Sequence, residues 1–205
     1  NKKGSNVRYL AIPILSMLFL TTCSHSWIAK PKDVPGYKRC QPFKGGPQMV
    51  KIPHFERSFL LTDGCWFMDT ERVSIAMYLF FKEWKKRFSP DSRAEQDVLN
   101  ALNALMVEVG DSKKTVTAYT MDGTIWSGAS ASGLTVSPTW VWIRVRDGQR
   151  LCDTSFVHEL IHVVIWATKK TDGDPDHLGS KYYGWKIDHN VLMQEVNELL
   201  CRWGV

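Results

Sequence analysis

Two histidines four residues apart, His158 and His162, stand in the stretch VHELIHV, with Glu159 directly after the first. On a helix, positions i and i+4 share one face a turn apart, so the two imidazoles can converge on one point. The pattern H-E-x-x-H on a helix brings together two zinc ligands and a general base. Zinc takes neutral imidazole nitrogens about 2 Å away in tetrahedral geometry, and a catalytic site keeps one position for water. The ion lowers the pKa of such a water, and a carboxylate beside the first ligand can take its proton as a carbonyl is attacked. The competing explanation is a core helix whose histidines bond ordinary backbone or side-chain partners. Phe156, Val157, Leu160, Ile161, Val163, Val164 and Ile165 weigh against it. They make the helix apolar on nearly all sides, which predicts burial. Two histidines and a glutamate buried without partners are costly, and a shared cation offsets that cost.

A catalytic zinc takes three protein ligands, and two regions supply candidates for the third. The stretch after the helix holds Asp172, Asp174, Asp176 and His177, while the last helix holds Glu195 and Glu198. His177 is favoured. Gly173 and Pro175 sharpen the turn that would bring it back, and Asp174 and Asp176 could orient ligand histidines by accepting their second N–H. Asp176, Glu195 and Glu198 stay open as alternatives. Tyr182 and Tyr183 are candidates for a hydroxyl that stabilises a tetrahedral oxyanion, although packing beside Trp185 explains a tyrosine there as well. His25, His54 and His189 have no partner at ligand spacing and read as surface or core residues.

The segment SFVHELIHVV, residues 155–164, resembles the zincin metallopeptidases, including their uncharged residues around the two histidines. The order of elements is similar too: helices, a small sheet, the motif helix, a loop, then a C-terminal helix. The resemblance implies an α+β, zincin-like fold with helices packed on a small, mostly antiparallel sheet. It implies a zinc peptidase acting on a peptide or protein substrate, with its cleft beneath the sheet's edge strand. PTWVWIRV, residues 138–145, is the candidate for that strand. The metzincin continuation H-x-x-G-x-x-H is absent. QEVNELL around Glu195 and Glu198 resembles the gluzincin pattern, in which a glutamate on a following helix completes the site. DGDPDHLG around His177 resembles a segment of exported bacterial proteins that carry HELxH.

The elements that must position these residues are legible from periodicity. Val73, Ile75, Ala76, Tyr78, Leu79, Phe80 and Phe81 recur at helical spacing over 70–88, with Thr70 as a cap and Trp84 in the core. A second helix is predicted from Arg93 to Val109, with Gly110 as its stop. KTVTAYTMDGTIWSG alternates around Asp122-Gly123 and predicts a hairpin. SGASASGLTVS reads as a loop or irregular edge. Trp140 and Trp142 alternate with Val141 and Ile143, which predicts a strand. Asp153, Thr154 and Ser155 are candidate caps for the motif helix, which runs to about Thr168. A last helix is predicted from His189 to Arg202.

With 205 residues the chain suits one domain with a proper core. Its net charge of +5 is scattered and matches no nucleic-acid module, so no nucleic acid is expected as a partner. The start is informative. A basic NKKGSNVR precedes the apolar run YLAIPILSMLFL, the layout of a secretory signal, here 1–22. LTTC at Leu20–Cys23 resembles a bacterial lipobox with Thr22 at the small-residue position, so Cys23 is the candidate lipidation site. An ordinary cleaved signal and a soluble secreted protein are the alternative. Residues 23–55 read as a tether and irregular lead-in, and 56–205 as the domain. Apart from Cys23, four cysteines remain: Cys40, Cys65, Cys152 and Cys201. An even number in an exported chain suits two disulfides, with three connectivities open. The chain therefore reads as a monomeric enzyme of the bacterial cell envelope, held to the membrane by a lipid anchor. Two other classes remain: a zinc-stabilised envelope lipoprotein without catalysis, and a hydrolase of cell-wall peptides.

Overall fold

The computed structural model describes residues 32–33, 47–62, 68–110, 114–119, 125–146, 149–169 and 188–205, with 32–33, 114–119 and 125–130 by backbone alone. Helix α1 spans Thr70–Phe88 and buries Val73, Ala76, Met77, Phe80 and Trp84. Its cap is Asp69, not Thr70: the Asp69 carboxylate accepts the Glu71 N–H at 2.9 Å, which satisfies one of the first-turn donors. Ser89, in the left-handed region at φ 42, ends it. Asp91 likewise caps α2, Ser92–Asn103, by accepting from Ala94 N at 2.7 Å.

The predicted second helix is too long. After Asn103 the chain turns, and Met106–Gly110 is a strand, β4. Val98, Leu102, Leu105 and Met106 satisfy helical spacing, but MVEVG also alternates. Val107 and Val109 are buried in the core. Burial from neighbouring strands overrides the helical reading of a short apolar run.

Five strands form the main sheet in the order β2-β3-β4-β8-β7. They are β2 Gln48–Lys51, β3 Phe59–Thr62, β4, β7 Gly133–Ser137 and β8 Trp140–Arg144. The expectation of a mostly antiparallel sheet is corrected. β3–β4 and β4–β8 are parallel, and β2–β3 and β7–β8 are antiparallel, so the sheet is mixed. The fold class is α+β, with four helices among the described residues. A separate antiparallel sheet joins β1 Lys32–Asp33, β5 Lys114–Tyr119 and β6 Ile125–Ala131 in the order β1-β5-β6. β5 and β6 are the two arms of the predicted hairpin.

Two further expectations change. PTWVWIRV was expected at the sheet's edge, yet β8 lies between β4 and β7, and the edge strands are β7 and β2. The stretch SGASASGLTVS, expected as a loop or irregular edge, supplies part of β6 and all of β7. Small residues weaken strand propensity, which hid it. The stretch expected as an irregular lead-in holds β2, bracketed by Pro47 and Pro53, as well as the buried Ile52 and Phe55. The packed core thus begins before residue 56.

Val141 and Ile143 of β8 face the helices, as their alternation predicts. On the other face the Trp140 indole donates to Glu108 Oε2 at 3.1 Å. Helix α3, Phe156–Lys169, packs among α1, α2, α4 and strand β7, and helix α4 is Asp188–Arg202. A disulfide, Cys152–Cys201, ties a 3-10 turn at Leu151–Asp153 to the last turn of α4. This is one of the pairings left open by the sequence. No described helix is long and apolar enough to cross a membrane.

Candidate metal centre

Helix α3 starts where Thr154 Oγ1 accepts the Phe156 N–H at 3.2 Å. Asp153, the other strong cap candidate, is instead exposed and paired with Arg150 at 3.1 Å. Ser155 turns away as well, donating its hydroxyl to Ser132 O at 2.8 Å. From Phe156 to Ala167 the helix is buried at every position except three: His158, His162 and Trp166. These are i, i+4 and i+8, a single stripe along the helix. The two polar ligand candidates thus occupy the one face that is partly open.

The rings of His158 and His162 have centroids 5.0 Å apart at an interplanar angle of 68°. This distance tests the fit to a metal. A tetrahedral ion about 2 Å from one nitrogen of each ring sets the two centroids about 5 Å apart. Two imidazoles on consecutive turns are also a suitable donor set for zinc.

Glu159 is set differently. It is buried, at 4% exposure, and lies against strand β7. Thr135 Oγ1 lies 2.9 Å from Glu159 Oε2 and 3.1 Å from the Glu159 carbonyl oxygen. Burial pushes the carboxyl up from 4.5 to about 8, and the Thr135 hydrogen bonds pull the other way without reversing it. A group whose pKa is brought near neutrality by its surroundings suits proton transfer in both directions.

The close approach of α3 to the sheet depends on Gly133. A Cβ there would meet Ser155 Oγ at 2.2 Å, Glu159 Oε1 at 2.5 Å and Glu159 Cγ at 2.9 Å. Real Cβ atoms do not approach so closely, so only a hydrogen at this position lets Glu159 lie on β7. Neither Gly133 nor Thr135 is flagged by the sequence. The one available signal was the glycine inside a strand-length run, which marks a close backbone approach.

The alternative third ligands on α4 do not join the pair. Among the described residues, no His, Cys, Asp or Glu forms with His158 and His162 a group of three whose donor atoms lie within 4.8 Å of one another. Glu195 accepts from Arg87 Nη2 at 2.7 Å, and Glu198 is exposed. The one such group among the described residues is Cys152, Asp153 and Cys201, but its sulfurs are bonded to each other and are not thiolate ligands. His54 is exposed, and His189 stacks on Phe88 with centroids 4.7 Å apart, in keeping with surface and core roles. His177, Asp176, Tyr182 and Tyr183 lie outside the described residues, as do Cys23, Cys40, Cys65 and the signal-like segment 1–22.

No protein-family model, curated protein or solved structure matches this chain.

Proposed function

We propose that this protein is a zinc-dependent hydrolase that cleaves peptide bonds, with a zincin-like arrangement of its motif helix and sheet. His158 and His162 hold the metal, His177 is the third ligand, and Glu159 is the general base. The observation that carries this reading is the pair of rings on the open stripe of an otherwise buried helix, spaced as two ligands of one ion. Zinc bound there would supply a Lewis acid for a carbonyl oxygen and acidify a water. The protein's own part is proton handling: the Glu159 carboxyl takes a proton from the attacking water and returns it to the leaving amine.

Strand β7 is the edge to which an extended peptide would add, because it has one neighbour in the sheet and is the edge strand that packs against the motif helix. The Cys152–Cys201 disulfide supports an oxidising compartment, in keeping with an exported, lipid-anchored protein whose anchor would be Cys23.

The test is Glu159→Gln in the zinc-loaded protein, assayed on a quenched-fluorescent peptide library. It should keep about one zinc per chain and lose cleavage by roughly a thousandfold or more, with chelation abolishing wild-type cleavage and zinc restoring it. His177→Ala should lower zinc content, whereas Glu195→Ala should not. Zinc binding with no cleavage of the library or of cell-wall peptides would turn the reading to a zinc-stabilised binding protein. Loss of neither zinc nor activity in His162→Ala would remove the metal centre altogether.

A further inference from the structure

The hydroxyl of Thr135 belongs to the edge strand β7, and Thr135 is the hydrogen-bond partner of the Glu159 carboxyl among the described residues, through this hydroxyl and through its main chain. It lies 24 residues before the motif in sequence and reaches two atoms of Glu159, Oε2 at 2.9 Å and the main-chain oxygen at 3.1 Å. The single proton of the hydroxyl is shared between the main-chain oxygen of α3 and the carboxyl, which ties both to the same position on the strand. Gly133, two residues back on the same strand, leaves room for the other carboxyl oxygen, Oε1. One strand therefore holds Glu159 from both oxygens, by a hydrogen bond at one and by close packing at the other.

Resting on the functional reading above, we propose that Thr135 is a positioning residue for the general base. Through Oγ1 it sets the rotamer of the Glu159 side chain relative to the backbone of α3. A hydroxyl suits this role chemically, since it donates to a carboxylate and accepts from a carboxylic acid. Valine has the same shape and offers neither bond. Serine offers both.

The experiment compares Thr135→Val and Thr135→Ser with wild type in the zinc-loaded full chain, on the fastest peptide from a quenched-fluorescent library. Thr135→Val should lower kcat by about 10- to 100-fold, the loss typical of a catalytic group displaced by about an ångström, and leave KM within about twofold. Thr135→Ser should recover most of kcat. A readout without metal or substrate accompanies it: the Glu159 Cδ resonance of metal-free protein labelled with ¹³C-glutamate, assigned by its disappearance in Glu159→Gln. That resonance should move in Thr135→Val and stay in Thr135→Ser at constant pH. If kcat and the resonance are unchanged in Thr135→Val, Thr135 does not position Glu159 and the inference is overturned. A resonance that moves while kcat holds overturns the catalytic consequence as well. A wild-type protein that binds zinc and cleaves nothing refutes the hydrolase reading, and the role of Thr135 falls with it. In that outcome the resonance still reports whether the hydroxyl holds the carboxyl, so the two failures are distinct.

Discussion

Glu159→Gln should stabilise the metal-free protein while it abolishes catalysis, and the size of the gain should depend on pH. In the folded chain burial raises the Glu159 carboxyl from 4.5 to about 8. The unfolded chain exposes it to water, where it ionises near its ordinary value. Between these two values the folded state binds more protons than the unfolded state, so stability falls as pH rises. Below the window both states are protonated, and above it both are ionised, so the slope vanishes at each end. At about 1.4 kcal/mol per pH unit inside the window, the loss between about pH 5 and pH 9 is about 4 kcal/mol, nearly all of it reached by about pH 8. Glutamine has the same shape, does not titrate and can still accept from Thr135, so it should escape this loss. Urea unfolding of chelator-treated wild type and Glu159→Gln at several pH values measures the difference. The two stabilities should agree near pH 5 within about 1 kcal/mol and then diverge in favour of the variant. Zinc should shrink the divergence, because a cation beside the carboxyl favours its charged form. A difference that stays flat from pH 5 to 9 would refute the reasoning, since Glu159 would then be solvated and not pressed against β7.

Gly133→Ala should destabilise the protein by about 1–3 kcal/mol and depress activity, since its Cβ would need space held by Ser155 Oγ and Glu159 Cγ; urea midpoints and cleavage rates check this together. Opening the Cys152–Cys201 bridge, whose cysteines are 49 residues apart in sequence, should cost about 4 kcal/mol by the loop-entropy relation. Thermal unfolding of Cys152→Ala/Cys201→Ala beside wild type tests it, and an unchanged midpoint would show that packing alone holds α4 to the turn before α3.

What the sequence determined by itself is local. The i, i+4 spacing of His158 and His162 follows from helix geometry, and the apolar positions around them mark α3 as buried wherever it sits. The helical periods of α1 and α4 and the alternating arms of the β5–β6 hairpin are local in the same sense. Each is encoded by contacts between residues a few positions apart, where the covalent chain leaves little choice.

Only the tertiary structure decided which strand is the edge, that β3, β4 and β8 run parallel, and that MVEVG is a strand and not the end of α2. For a short apolar run, helix and strand spacing both fit, and burial among distant neighbours selects one. It alone also brought Thr135 and Gly133 to Glu159. No periodicity joins residues more than twenty positions apart on different elements; their meeting is set by how α3 docks on the sheet. The candidate ligand pair was therefore readable from seven consecutive residues, while the groups packed against the Glu159 carboxyl were not.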